Sequence, residues 1–343
     1  MFLAGYVNHI NAQNINCKSI AGYLDKSKYE VKTLRLVKGD HVLEKGFSTI
    51  PVYKSFFRLS NLVSFLYAII WCDIAYLPKH HTTPKIIFLF SRIFNKTLFT
   101  TIEGNMCDTS RQSMVGNFGG KDNLISYFKN IKNIFGITEF IISNAKCGVL
   151  LNKQPLYLGV EGGIFDKNEV NELKQIIFIG NLISRKRVHE IIDLSYIFPD
   201  IIFHIVGEGP LMNKLLVKKS SNLVFHFKQN HSQINSLLPQ IDLLFLPSKS
   251  EGFPKVILEM ASAGIPSLVY SDYGAYEWID NDKNGFIVSD YDEVILKLKE
   301  LKSNPNLLKS NSQKCLKLAQ KFDWRIRIKD WEEVIDKLVH KHD

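Results

Sequence analysis

The chain of 343 residues lacks any long block of basic residues, any long apolar run and any closely spaced cysteine pair. Each absence excludes a class of protein. Its net charge of +9 is spread along the chain, so no nucleic-acid arm is expected, although a balance of this sign suits anionic lipid head groups. The longest apolar run, Leu62 to Cys72, ends at Asp73 and is too short to span a bilayer. The start, MFLAGYVNHI, passes from apolar to polar residues with neither a basic leader nor a cleavage site, so no secretion signal is expected. The cysteines (Cys17, Cys72, Cys107, Cys147, Cys315) are odd in number and include no C-x-x-C. That pattern predicts a reducing compartment and no structural zinc. No G-x-G-x-x-G follows the first apolar stretch, which argues against a nicotinamide oxidoreductase. What remains is 45% apolar and 22% charged, the balance of a globular protein long enough for two domains.

Taken in order, Phe2–Val7 reads as a strand, and a polar turn rich in asparagine (Asn8, His9, Asn14 among them) leads into a helix carrying Ile15, Ile20 and Leu24. Doubly wound α/β domains begin this way. Tyr29–Val37 reads as a second strand. From Val52 to Trp71, Lys54 and Arg58 stand among Phe56, Phe57, Leu59, Leu62, Phe65, Leu66 and Tyr67. Two placements fit such a helix: the interface of a membrane, or the core of the first domain with a charged end. Asp73–Leu77 and Thr97–Ile102 read as strands around a helix from Pro84 to Phe94, and Glu103 follows at a strand's C-terminal end, where open α/β sheets bind ligands. Glu139–Ser143 and Pro155–Leu158 close this half, with the boundary placed between Val160 and Asn171 by Gly162 and Gly163.

The second half opens on QIIFIGNLISRKRVHEII, a strand, a polar loop and an amphipathic helix. Its most telling stretch is SKSEGFPKVILEMASAGIP, Ser248 to Pro266. Before it, IDLLFLP is a short continuous apolar run, as in a strand buried on both faces. After the turn, Val256, Ile257, Leu258, Met260, Ala261 and Ala263 form a core-facing helical pattern that Gly264 and Pro266 end. Glu251 and Glu259 thus lie near a helix N-terminus, whose free N–H groups attract phosphate. Carboxylates accept paired hydroxyl donors, so phosphate-binding N–H groups beside two acids fit a sugar nucleotide. With Pro254 expected at the first helical position, Lys255 and Val256 are the expected backbone donors.

This stretch, with Pro247, Ser248, Gly252, Phe253, Gly264 and Pro266 in place, resembles the E-x7-E signature of the group 1 (family 4) retaining glycosyltransferases, which have the GT-B fold. The resemblance implies two doubly wound Rossmann-like domains facing across a cleft: an acceptor domain over 1–165, a nucleotide-sugar domain over 166–320, and a C-terminal helix over 321–343 packing on the first. That helix carries the apolar stripe Trp324, Ile328, Trp331, Val334, Ile335 and Leu338. The resemblance also implies roles. Glu251 would hold donor sugar hydroxyls and Glu259 the ribose, with Gly252, Phe253, Lys255 and Val256 completing that loop. Lys186, six residues past Gly180, would hold the diphosphate, stabilising charge as it develops on the leaving group. Asn181 replaces the family's arginine and Arg187 its glycine, so Arg185 or Arg187 is expected to supply the missing cation. HIVGEGP, with Gly207, resembles the family's Gly-x-Gly-Pro turn, and GVEGGIFDK its linker segment, with Glu161 for aspartate.

In the first domain, relatives have a histidine where this chain has Glu103, which would stabilise positive charge at the anomeric carbon, accept the acceptor's proton, or pair with Arg111. Only Gly5 remains of the family's first-loop glycines, leaving Asn8, His9 and Asn14 to meet acceptor hydroxyls. Asp280-Asn281-Asp282 mimics a metal-binding D-x-D but reads as a turn, and no metal or other cofactor is expected. The resemblance therefore implies a metal-independent retaining transferase in bacterial surface-polysaccharide synthesis. Its donor would be a UDP- or GDP-sugar and its acceptor a glycan, lipid-linked at the inner leaflet. The place would be the cytoplasm, with peripheral contact at the inner membrane. Two rivals remain: a nucleotide-sugar-binding subunit without turnover, suggested by Asn181 and Glu103 at altered positions, and a GT-B-like sugar-nucleotide epimerase that needs no acceptor.

Overall fold

A computed structural model describes the chain except residues 10, 39–45, 105, 108–112, 167–169, 219 and 341–343. It divides at Gly159/Val160 and Asp323/Trp324: unit 1 is Met1–Gly159 with Trp324–Asp343, unit 2 is Val160–Asp323.

Unit 1 runs β1 (Phe2–Tyr6), α1 (Ala12–Tyr23), β2 (Lys32–Val37), β3 (Ser48–Tyr53), α2 (Phe57–Trp71), β4 (Ile74–Tyr76), α3 (Ile87–Ile93), β5 (Thr97–Ile102), α4 (Met114–Asn117), α5 (Lys121–Phe128), β6 (Asn133–Gly136) and α6 (Glu139–Asn144). The strands form one sheet in the order β3-β2-β1-β4-β5-β6. Neighbours pair in parallel, from Lys32 opposite Ser48 in β2 and β3 to Ile102 opposite Gly136 in β5 and β6. The chain reverses its direction of winding between β1 and β4, where doubly wound sheets bind ligands. Asn11 starts α1 by accepting a hydrogen bond from the Asn14 backbone at 2.9 Å, an N-cap. Gly5 is required for packing: a Cβ there would lie 2.5 Å from that of Cys17, so α1 could not sit this close to β1.

Several elements go beyond the sequence reading, α4, α5 and β6 among them. β3 takes Val52 and Tyr53, so α2 begins only at Phe57; Pro51 interrupts the alternation of STIPVY and hides the strand, and is tolerated here on an edge strand. Glu139–Asn144 is a helix, capped by Thr138 Oγ1 accepting from Ile141 N at 3.1 Å. The cysteine reading also needs correcting. Cys107 and Cys147, 40 residues apart, form a disulfide, so the cysteines no longer argue for a reducing compartment. No spacing motif announces a bond whose ends the fold brings together.

Unit 2 runs β7 (Gln175–Ile179), α7 (His189–Ile197), β8 (Ile202–Val206), α8 (Met212–Leu216), β9 (Leu223–Phe227), α9 (His231–Leu237), β10 (Leu243–Leu246), α10 (Lys255–Ser262), β11 (Ser267–Tyr270), β12 (Phe286–Val288), α11 (Tyr291–Ser303) and α12 (Pro305–Lys321). Its sheet order, β12-β11-β10-β7-β8-β9, repeats that of unit 1, with the reversal between β7 and β10. β10 is buried throughout, as a central parallel strand covered on both faces must be. α10 buries Ile257, Leu258, Met260 and Ala261. Ala261 packs with Cys315 and Ala319 of α12, and Gly264, at φ +81°, ends the helix.

The last helix, α13 (Trp324–Val339), belongs to unit 1. It buries Trp324, Ile328, Trp331, Ile335 and Leu338, packs beside α1 and β4, and Trp331 Nε1 donates to Tyr157 O at 2.9 Å.

Candidate functional site

At the reversal point of unit 2 the loops after β7 and β10 meet. Lys186 Nζ lies 2.5 Å from Glu251 Oε1, and Arg185 Nη1 3.3 Å from Glu251 Oε2. Arg185 also donates to Ser250 O, and Lys249 N donates to Arg185 O at 2.9 Å, so backbone and charge join the two loops. Lys186 and Glu251 are each only about a tenth exposed, at 12% and 10% of their side chains. A pair this sheltered is screened little by salt, and removing either partner leaves an uncompensated charge.

A third loop fixes the first. Gly207, just after β8, sits at φ +141°, and a Cβ on it would lie 1.9 Å from Gly180 O. Glycine alone fits there, and Gly180 N donates to Val206 O at 3.0 Å. Asn181 is exposed on this loop. Arg187 adopts a left-handed φ of +47°, a conformation rare outside glycine, where the family has its glycine. It pairs with Asp272 at 3.0 Å and lies over the Tyr270 ring, its guanidinium 4.9 Å from the centroid. Of the two candidate replacements for the missing cation, Arg185 therefore stands beside Lys186, and Arg187 is held by Asp272 and Tyr270.

α10 begins after the Glu251 loop with no side-chain cap. Pro254 is its N-cap rather than its first helical residue, so Lys255 and Val256 open the helix. Gly252 and Phe253 complete the turn, Phe253 with its ring 5.6 Å from Phe322 and 5.9 Å from Trp278. Glu259, one turn along, has its carboxyl pKa raised by burial; His231 and Lys255 oppose that rise and Glu161 adds to it. The linker acid, the α9 histidine and the second signature glutamate thus share one electrostatic neighbourhood.

Sequence reasoning missed His231, which opens α9. It also missed Tyr273, whose buried hydroxyl has no hydrogen-bond partner among the described residues. Its pKa is driven well up by burial and then by Glu251 and Asp272. The buried Ser248 hydroxyl is likewise unpartnered. Unsatisfied buried hydroxyls are costly and uncommon, and no sequence pattern predicts them.

The unit 1 candidates fare differently. Asn8 Nδ2 donates to Leu36 O and its Oδ1 accepts from Leu36 N, both at 2.8 Å. Asn14 Oδ1 accepts from Tyr6 N at 2.9 Å and its Nδ2 donates to His9 O at 2.7 Å. Both are buried. They bind the backbone rather than stand open to acceptor hydroxyls, because a buried loop must satisfy its own peptide groups. His9 alone of the three is exposed. Glu103 follows β5 and accepts from Asn16 Nδ2 at 3.2 Å and from the Tyr76 and Thr101 hydroxyls at 3.4 Å. Its suggested partner Arg111 lies outside the described residues. Asp280 and Asp282 lie in a turn, where Asp280 O accepts from Lys283 N at 3.0 Å and Asp282 pairs with Lys297 at 2.8 Å.

Two parallel doubly wound units in this order, with the last helix in the first unit, make the GT-B fold. Solved structures agree over nearly the whole chain. Sucrose-phosphate synthase from Thermosynechococcus elongatus matches with a TM-score of 0.81 at 12% identity, covering 99% of both chains. Anabaena Alr3699/HepE in complex with UDP matches at 0.80 and 14% identity, covering 98% of this chain and 99% of that one. Residues 163–318, nearly all of unit 2, match the family Glycosyl transferases group 1, the family that the signature around Glu251 and Glu259 resembles. A curated relative from Escherichia coli, UDP-Gal:alpha-D-GlcNAc-diphosphoundecaprenol alpha-1,3-galactosyltransferase, is 30% identical over 155 residues, 42% of this chain and 39% of that protein. The chain thus spans well under half the length of that relative.

Proposed function

We propose that the chain is a retaining glycosyltransferase moving a sugar from a UDP-sugar to a hydroxyl of a lipid-linked glycan during bacterial surface-polysaccharide synthesis. The observation that carries this reading is the meeting of Lys186, Arg185 and Glu251 where the winding of unit 2 reverses, beside the uncapped start of α10. A diphosphate leaving group gains negative charge as its bond to the sugar breaks. Two fixed cations and a helix N-terminus stabilise that charge without reorganising at the moment of reaction. Glu251 holds both cations in place and offers carboxylate oxygens to sugar hydroxyls, while Glu259 serves the ribose.

UDP as donor is supported by the UDP bound to the Anabaena structure and by the UDP-galactose of the E. coli relative. The latter's diphosphoundecaprenol acceptor supports the lipid-linked assignment, and action at the cytoplasmic face is part of this proposal. With Lys186 and Arg185 supplying the charge and Asp280 and Asp282 engaged in a turn, the transfer proceeds without a metal. Glu103 is assigned to the reacting sugar from the end of β5.

The test is transfer from a labelled UDP-sugar to a polyprenyl-diphosphate sugar, with the product's anomeric configuration read by NMR and the assay repeated with EDTA. Retained configuration and unchanged rate in EDTA are expected. Sugar release without transfer, inverted product, or loss of activity in EDTA would each overturn the corresponding part.

A further inference from the structure

Helix α2 buries Phe65, Ala68 and Ile69 against its sheet, yet its outward face is also apolar. Leu59, Val63, Tyr67 and Ile70 are 64%, 57%, 51% and 44% exposed, at the i, i+4, i+8 and i+11 positions of one stripe. Phe56, just ahead of the helix, is 72% exposed. The neighbouring α3 repeats the pattern: Leu89 and Ile93 face solvent at i and i+4, with Ile86 before the helix and Phe94 after it. Right-handed crossovers from β3 to β4 and from β4 to β5 put both helices on the same side of the sheet, so both outward stripes face the same way. Scattered single apolar residues would need no explanation; two aligned stripes do.

The charge in the segment that carries the stripes is mostly of one sign. From Phe47 to Ile102 the chain carries Lys54, Arg58, Lys79, Lys85, Arg92 and Lys96, against the single acid Asp73. Lys54, Arg58, Lys85 and Arg92 are exposed. Beside α3, towards α5, lies a cavity of about 440 Å³ whose polar lining comes from Lys85, Arg92, Asn123, Ser126 and Asn130, with no carboxylate among the described residues of its wall. Arg92 Nη2 donates to Asn130 Oδ1 at 2.6 Å, which holds the guanidinium at the cavity.

We infer that this face of unit 1 docks on an anionic phospholipid surface, with the α2 and α3 stripes in the acyl boundary, the cations on head groups and a head-group phosphate in the Lys85–Arg92 cavity. Apolar residues ringed by cations are the composition of an interfacial element. A second copy of the chain would bring cations against cations, and nucleic acid would leave the stripes in water. This inference deepens the lipid-linked reading above by naming the surface, and its test uses neither donor nor acceptor, so the two can fail separately.

The experiment is cosedimentation of the whole chain with vesicles of phosphatidylcholine, alone or with about 30% phosphatidylglycerol, at low salt and in about 0.5 M salt. Partition into the anionic vesicles should exceed that into the neutral ones at least tenfold and fall with salt, since each cation is worth roughly fivefold in partition. The exposed substitutions Leu59→Ser with Val63→Ser, and separately Lys85→Gln with Arg92→Gln, should each lower partition about tenfold or more while leaving the melting temperature and donor binding unchanged. Equal partition into both vesicle types, partition unmoved by either pair, or no sedimentation at all would overturn the proposal. So would self-association abolished by the same substitutions in a protein that ignores vesicles, or stabilisation by free glycerol phosphate without vesicle binding.

Discussion

Units 1 and 2 share a strand order and a reversal point, yet they use that point differently. In unit 2 the loops deliver charges to one another: Lys186 and Arg185 meet Glu251, and the Glu259 carboxyl feels the charges of His231, Lys255 and Glu161. In unit 1 the corresponding loop after β1 turns its amides onto the backbone through Asn8 and Asn14. One frame therefore carries a cluster of paired charges in one copy and a self-satisfied loop in the other. Strand order sets where a site can form; the side chains at the strand ends decide whether one does.

The largest expected effect tests the charged side of this contrast. Glu251→Gln keeps the volume but releases both cations, and turnover in the transfer assay should fall about a hundred- to a thousandfold. A change below threefold would remove Glu251 from the chemistry. Next comes the loop that holds Gly180. Gly207→Ala places a methyl 1.9 Å from Gly180 O at φ +141° and should cost about 3–4 kcal/mol in urea unfolding; a loss under about 1 kcal/mol would mean the loops are free to part.

Smaller effects are expected in unit 1. Asn8→Ala leaves Leu36 N and O without their buried partner and should cost about 1–3 kcal/mol of stability while leaving the apparent KM for acceptor unchanged. His9→Ala, at an exposed position, should do the reverse, with no loss of stability. A raised KM in Asn8→Ala at unchanged stability would make the two units alike after all.

The smallest effect concerns pH. Burial raises the Glu259 pKa above its ordinary 4.5, so the folded state binds a proton there more readily than the unfolded state. Any stability linked to this group is then fully present below pH 4.5 and is lost as pH rises through the folded value. Glu259→Gln should accordingly raise the melting temperature at pH 7, and the gain should vanish in acid, while donor binding weakens. A lowered melting temperature at pH 7 would mean the carboxylate is stabilised where it stands.

The same contrast explains what could be read beforehand. Unit 2 was legible because its chemistry lies in short continuous stretches, Gly180–Lys186 and Ser248–Pro266, each tied to a strand end by apolar pattern alone. In unit 1, asparagine after a strand can serve a ligand or its own backbone, and only the fold decides. Between Arg185 and Arg187 the sequence could not choose: Asp272 and Tyr270, 85 and 83 residues on, take the Arg187 side chain. Pairings across such distances, the Cys107–Cys147 bond included, leave no local trace.

The most direct test of the central claim is the melting temperature of the purified chain with UDP-, GDP-, ADP- and CMP-sugars, since a ligand that binds only the folded state stabilises it by mass action. The account predicts a clear rise with the UDP-sugar that shrinks in Lys186→Ala and in Glu259→Ala and persists in Asn8→Ala. A rise untouched by Lys186→Ala, or none with any donor, would contradict a sugar-nucleotide site at the reversal point of unit 2.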